Sequence, residues 1–173
     1  MKKTMMTLVL ALTALLPIQA QSLEGKWIDV ADSGEEDVNL SYILAFEGDQ
    51  VRQWAVCGTE MENVGDVAIN ITVPAQEYVP GSNTLNFTFD ASQAEITIQD
   101  IEYSEQMKEA IKDAPDKERA LRLIIKAGFD EQKHEMAKRI LLNGVFTITK
   151  ITADSFEMKD ADGETYAFAK YTE

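Results

Sequence analysis

The strongest constraint on the fold is an alternation of apolar and polar residues with a period of two. It runs through residues 40–46, 67–73, 85–89 and 96–98, and turn sequences such as Pro80-Gly81-Ser82-Asn83 punctuate the series. Because successive side chains of a β-strand point to opposite faces, each segment is expected to form a strand with one face on a core. Short, evenly spaced strands with intervening turns favour an antiparallel, up-and-down sandwich or barrel.

Between residues 104 and 143 the apolar spacing changes to that of an α-helix. Ser104 is a suitable N-cap for a first helix, and Pro115 is expected to begin a second one. Gly128 is typical of a helix C-terminus, and Asp130 is a suitable cap for a third helix. The spacing therefore predicts about three short helices inserted between strands.

After the insertion, three more strands are predicted at residues 145–151, 156–159 and 165–171. The turn sequence over residues 160–163 joins the last two as a hairpin. Taken together, the pattern predicts a mainly β fold. We expect an antiparallel barrel of eight or nine strands with an inserted helical segment at residues 104–143.

Residues 1–20 have the organisation of a cleavable bacterial signal peptide. Two lysines are followed by an apolar run over residues 5–16 and by Ala20 at the expected cut. No segment reaches the roughly 20 apolar residues of a membrane helix, so no transmembrane segment is expected. The only cysteine, Cys57, is far from the cut, which argues against a lipoprotein. We expect residues 21–173 to form one domain that is periplasmic or secreted.

The chain is strongly acidic, with a formal net charge of −14 that becomes −16 once the two lysines of the leader are removed. Such a charge repels phosphate backbones, so no nucleic-acid binding is expected. The same field attracts basic proteins and cations. It also keeps an exported domain soluble, and the sequence leaves open which of these roles applies.

Signatures of catalysis and of metal binding are missing from the sequence. His134 is the only histidine, and Lys138 stands where an H-E-x-x-H zinc motif needs its second histidine. The acidic turn at residues 160–163 lacks the spacing of a calcium loop, because Tyr171 occupies the twelfth position. Cys57 continues an inward-facing series in its strand and is expected to be a small buried hydrophobe. We therefore expect no enzyme, no catalytic residue, no metal and no cofactor.

Three sequence features carry a resemblance to a known family. The segment Leu23-Glu24-Gly25-Lys26-Trp27 places a G-x-W motif at the first strand, residues 78–87 form a characteristic turn and strand, and residues 146–170 form a closing meander. These features resemble the small lipocalin-like (calycin-like) exported domains of Bacteroidetes, over about two-thirds of the chain. The resemblance implies that Gly25 and Trp27 close one end of the barrel. It also implies that Lys170 packs across the indole, where the family usually has arginine.

The resemblance further implies a binding protein that holds a small apolar or amphipathic ligand inside the barrel. The alternative is an acidic interaction module with a filled barrel that captures a basic protein partner. The helical insertion is a lid, a partner surface or a plug, and the oligomeric state is left open. The residues expected to contact a ligand are Tyr42, Trp54, Phe87 and Phe89 from the strands, with Phe129 and Met136 from the insertion.

Overall fold

The computed structural model describes residues 23–30 and 40–172, so the expected signal peptide and its cut lie outside the described residues. Ten strands and two α-helices follow one another along this part of the chain. The elements are β1 (Gly25–Asp29), β2 (Leu40–Glu47), β3 (Gln50–Met61), β4 (Gly65–Thr72), β5 (Gln76–Glu77), β6 (Thr84–Phe87), β7 (Glu95–Tyr103), α1 (Glu105–Ile111), α2 (Pro115–Ile140), β8 (Gly144–Ile151), β9 (Ser155–Lys159) and β10 (Thr165–Lys170).

The strands form one antiparallel sheet in the order β6-β8-β9-β10-β1-β2-β3-β4-β7, with the short β5 beside β3. The sheet curls into an open half-barrel, which confirms the mainly β, antiparallel prediction and corrects the prediction of a closed barrel. Among the described residues, the outer strands β6 and β7 pair with β8 and β4, and not with each other. Helix α2 packs on β7 and on the 3₁₀ turn Ala91–Gln93, which directly precedes β7 in the chain. A helix therefore covers the apolar face that closing strands would otherwise cover.

The inserted segment contains two helices, where the sequence predicts three. Ser104 caps α1 and Pro115 begins α2, as predicted. Gly128 does not end a helix, because a glycine inside a helix costs only about 1 kcal/mol relative to alanine and the chain continues through it. Asp130 is likewise no cap, since it lies inside α2 with its carboxylate 2.7 Å from Lys126 Nζ.

Substitution of Gly128 tests directly how closely α2 packs on the sheet. A Cβ atom built on Gly128 meets no heavy atom within 4 Å, so the helix does not need a glycine for close packing here. We expect Gly128→Ala to raise the free energy of unfolding by about 0.5–1 kcal/mol, through helix propensity alone. Denaturant unfolding measures this change, and a destabilised variant would show that α2 lies closer to the sheet than described.

The first of two buried clusters, here called the barrel core, fills the concave side of the sheet around β1, β2 and β8–β10. Its centre is aromatic, because Phe156 stacks on Phe168 with ring centroids 4.7 Å apart and meets Trp27 edge to face at 5.2 Å. All three side chains are at most 1% exposed, so protein occupies this part of the interior. The cluster also contains Leu23, Leu44, Phe46, Val51, Leu85, Phe87, Leu142, Phe146, Ile148 and Met158.

The second cluster, the helix-covered core, lies where α2 packs over β4 and β7. Ile125 and Ala137 are the side chains that α2 buries in it. Cys57 is 5% exposed and points inward, which confirms its predicted burial. The remaining buried members are Ala55, Val67, Ile69, Ile71, Val73, Ala91, Ala94, Ile96, Ile101 and Leu141.

The end of the insertion, the plug segment Ile140–Leu142, joins the two cores. Leu141 is buried in the helix-covered core and Leu142 in the barrel core. Two side chains of the sheet bind its backbone: Tyr42 Oη donates to Ile140 O at 2.9 Å, and Gln53 Nε2 donates to Leu142 O at 2.9 Å. The insertion is therefore a structural part of the fold at this end of the helix.

Tyr42 makes the stability of this contact depend on pH. Burial, with the charges of Asp29 and Glu164, raises the pKa of Tyr42 from 10.0 to about 12. The unfolded chain ionises at lower pH than the native state, so this contribution is complete below pH 10 and is lost as pH rises toward 12. We expect Tyr42→Phe to cost about 1 kcal/mol at neutral pH, where Ile140 O loses its donor. Unfolding curves from pH 9 to pH 12 should show a shallower decline for Tyr42→Phe than for wild type; equal slopes would contradict the assignment.

Candidate binding groove

An open groove of about 1050 Å³ runs between α2 and the β3–β4 hairpin, and is here called the α2 groove. It lies beside the helix-covered core, on the part of α2 that faces the end of β3. Its lining is mostly apolar on both sides. The helix contributes Leu121, Ile124, Ile125, Phe129, Met136 and Ile140, and the strands and their turn contribute Cys57, Met61, Val64 and Ile69.

The groove exists because α2 is only partly seated on the sheet. Ile124 lines the groove and is 69% exposed, while its neighbour Leu123 is 62% exposed. Gly128 also lines the groove and removes a side chain from the middle of this helix face. Contiguous apolar surface of this kind, left exposed in the folded chain, marks an interaction site.

Three carboxylates, here called the acidic border, belong to strand residues that line the groove: Glu60, Asp66 and Glu102. Their side chains lie on the sheet face opposite the buried Cys57, Val67 and Ile101, because successive side chains of a strand alternate between faces. Glu60 on β3 lies directly opposite Asp66 on β4, which lies directly opposite Glu102 on β7. Like charges directly opposed across a sheet destabilise it. Lys108 lies in the field of Glu102, but its Nζ is held 2.7 Å from Glu105. Among the described residues lining the groove none is basic.

The groove lining includes one thiol, that of Cys57, and the carboxylates of the acidic border. Burial raises the pKa of the Cys57 thiol, which disfavours the nucleophilic thiolate. Within residues 23–30 and 40–172, no group of three or more His, Cys, Asp or Glu side chains is placed to hold a metal ion. The acidic turn that follows β9 is held by its own chain, since Asp160 Oδ1 accepts hydrogen bonds from the amides of Asp162 and Glu164.

Two of the six residues expected to contact a ligand lie together in the groove. These are Phe129 and Met136, both from α2. Tyr42 is half-buried between the two cores, with its hydroxyl bound to the plug segment. Phe87 is fully buried in the barrel core, where it meets Phe146 edge to face.

The other two residues lie apart from the groove. Trp54 is half-buried on the outer face of β3, with the Arg52 guanidinium 5.8 Å from its ring centroid. Phe89 lines a separate, more polar cavity of about 700 Å³, between β6 and the loop after β4. Sequence reasoning missed the strand side of the α2 groove, which Cys57 and Met61 line. The sequence did contain one signal: the helical segment carries more apolar residues than the two, Ile125 and Ala137, that α2 buries against the sheet.

Trp27 is buried in the barrel core and meets Lys170 of the neighbouring strand β10. The indole is 1% exposed and its Nε1 donates to Leu23 O at 2.6 Å. Lys170 Nζ lies 5.4 Å from the ring centroid of Trp27. Gly25 has φ +108°, and a Cβ there would lie 3.3 Å from Lys170 Cε, so a side chain at this position would crowd the lysine. The structure thus brings Gly25, Trp27 and Lys170 together, and whether they close one end of the barrel stays a prediction.

Across the described ranges, no helix is long and apolar enough to cross a membrane. Comparisons with models of protein families, with curated proteins and with solved structures find no match for this chain. The candidate site therefore rests on its own geometry: an open apolar groove, bordered by carboxylates, beside a filled half-barrel.

Proposed function

We propose that this is an exported, non-catalytic binding protein that takes an amphipathic ligand in the α2 groove. The observation that carries the proposal is the exposed apolar surface between α2 and the end of β3, which the fold leaves uncovered. Ligand sites combine a mostly apolar lining with a few polar groups that orient the ligand. In the α2 groove those polar groups are Thr59 and Gln132.

The groove is a better site than the interior of the half-barrel. Phe46, Phe156, Met158 and Phe168 are fully buried in the barrel core, and the Phe156 ring contacts those of Phe46 and Phe168. A ligand held there would have to displace buried side chains, each worth about 1.5–3 kcal/mol of apolar burial. The groove needs no such displacement. We therefore place the ligand in the α2 groove and not in the barrel core.

Export is part of the proposal, and it has a direct test. The lysines at the start of the chain, the apolar run and Ala20 have the pattern of a leader removed on secretion. We expect the protein recovered from the envelope or medium of its native host to begin at Gln21 or within a few residues of it. N-terminal sequencing reads this directly, and full-length protein confined to the cytoplasm would contradict it.

The groove is tested by filling it. A tryptophan at position 128 would project into open space, so Gly128→Trp should fold and occupy part of the groove. We expect wild type to bind the neutral apolar dye Nile red saturably, with increased fluorescence. Gly128→Trp should weaken that binding by about tenfold or more, since roughly 1.4 kcal/mol of contact corresponds to a factor of ten.

The matched control is Ala127→Trp. Ala127 is an exposed neighbour on the same helix and is not part of the groove lining. This variant adds the same indole to α2, and we expect its affinity for Nile red to equal that of wild type. Equal binding by wild type and Gly128→Trp, with both variants folded by circular dichroism, would remove the α2 groove as the site.

A further inference from the structure

We infer that Met61 and Met136 form an oxidation site, where a hydroperoxide converts both thioethers to sulfoxides and thereby weakens binding in the α2 groove. The effect on binding rests on the proposed function, whereas the reaction at the two sulfur atoms does not. Met61 ends β3 and Met136 lies on α2, so each wall of the groove contributes one methionine.

Both methionine side chains lie on an apolar surface that solvent still reaches. Each is half-buried and packs against the helix-covered core. Met61 is fixed at the β3–β4 turn, where Val64 N donates to Met61 O at 3.0 Å. Met136 lies one helical turn from Gln132 and from Ile140, which line the same groove. An oxidant that enters the open groove therefore meets a thioether on either side of it.

The other two methionines of the described chain are placed differently. Met158 is 0% exposed in the barrel core, so a peroxide reaches its sulfur only if the sheet opens. Met107 is half-buried on α1 and is not part of the groove lining. Exposure thus leaves Met61, Met136 and Met107 open to oxidation, and only the first two belong to the groove.

The thiol of Cys57 lies in the same lining but is a poorer target. The thiolate is the form of cysteine that reacts with peroxides, and burial raises the pKa of Cys57, which keeps the thiol protonated. A thioether has no proton to lose, so its oxidation needs no ionisation. An oxidant in the groove is therefore consumed at the two methionines.

The reaction is an oxygen transfer that needs only the hydroperoxide. A lone pair of the sulfur attacks the outer peroxide oxygen, so that an S–O bond forms and the O–O bond breaks. The sulfur is oxidised by two electrons and the peroxide is reduced by two. The departing oxygen takes the proton that the transferred oxygen carried and leaves as water or as an alcohol. Methionine sulfoxide reductases return the product to the thioether.

The two sulfoxides change the surface that a ligand meets. Each places a polar S–O group among apolar lining residues such as Ile69 and Phe129. That group loses its contact with water when an apolar ligand covers it, which costs free energy. Oxidation should therefore weaken the affinity for an apolar ligand at least about fivefold, the lower end of the cost of burying an unpaired polar group.

Peptide mass spectrometry after brief treatment with hydrogen peroxide tests the site itself. At the lowest dose that modifies the protein, we expect one added oxygen atom on Met61, on Met136 and on Met107. Met158 and Cys57 should remain unmodified at that dose. Oxygen on Met158 or Cys57 ahead of Met61 and Met136 would overturn the inference.

Titrations with Nile red test the effect on the groove. Peroxide should weaken binding by wild type at least about fivefold, and the two stereospecific methionine sulfoxide reductases should then restore it. Met107→Leu is the matched control and should lose affinity on oxidation as wild type does. The double variant Met61→Leu with Met136→Leu should have the same affinity before and after peroxide, because leucine has no sulfur to oxidise.

The outcomes separate this inference from the proposed function. If Met61 and Met136 are oxidised and wild type keeps its affinity, or if the double variant loses affinity equally, the inference fails while the groove stands. Affinity that the reductases do not restore would assign the loss to another lesion and also overturn the inference. If untreated wild type does not bind Nile red, the proposed function fails together with the effect on binding, and the mass spectra still decide where oxygen is added.

Discussion

Trp27→Ala is expected to lower the free energy of unfolding by about 3–5 kcal/mol, the range for removing a large aromatic side chain from a packed core. The indole is fully buried, contacts Phe156, and donates its hydrogen bond to Leu23 O. Its loss leaves a cavity in the barrel core and frees Lys170 from the ring face. Equilibrium denaturation in urea measures the change.

Trp54→Ala is the matched control for this substitution. Trp54 lies half-buried on the outer face of β3, beside Arg52, and outside both cores. Its replacement should cost less than about 1 kcal/mol, as is usual for side chains at the surface. A Trp27→Ala cost as small as that of Trp54→Ala would show that Trp27 does not seal the barrel core.

Replacing residues 104–143 by a short turn is expected to destabilise the protein by at least about 5 kcal/mol, since it removes three large buried side chains worth about 1.5–3 kcal/mol each. Those side chains are Ile125, Leu141 and Leu142. The replacement also uncovers the apolar face of β4 and β7, and takes away the backbone partners of Tyr42 and Gln53. We expect the shortened protein to lose cooperative thermal unfolding.

Single substitutions test whether the insertion is a structural plug or a removable lid. Leu142→Ala should cost about 2–5 kcal/mol, because its side chain is buried in the barrel core. Leu123→Ala should be nearly neutral, since Leu123 is 62% exposed on α2. A shortened protein that unfolds cooperatively at the wild-type temperature would show that the insertion is a dispensable cover.

The period-two pattern was enough to predict the strands, because alternation is a local property that burial of one sheet face imposes. The sequence also placed Cys57 inside and Ser104 and Pro115 at helix starts, and the structure confirms these positions. Closure of the sheet was predicted wrongly. Whether β6 meets β7 depends on what packs beside them, and here α2 packs on β7 and on the turn Ala91–Gln93 that precedes it.

The helix boundary at Gly128 and the groove were harder to predict for a related reason. A glycine at the end of a helix and one inside it have the same local sequence signal, and the difference is set by tertiary contacts such as those of Ile125 and Ala137 on the sheet. Phe129 and Met136 were predicted as ligand contacts from the insertion, and both line the groove. Their partners Cys57 and Met61 come from β3, far away in sequence, so only the fold brings the two sides of the groove together.

The central claim is that ligand binds in the α2 groove and not in the barrel core, and four methionines report on it. Met61 and Met136 line the groove, Met158 is fully buried in the barrel core, and Met107 lies on α1. The most direct measurement is a titration of ¹³C-methyl-methionine protein with the neutral amphiphile octyl glucoside, below its micelle concentration, followed by NMR. We predict that octyl glucoside shifts the methyl signals of Met61 and Met136 saturably, while those of Met158 and Met107 stay in place. A shift of Met158 without Met61 and Met136, or no shift of any of the four signals, would contradict the account.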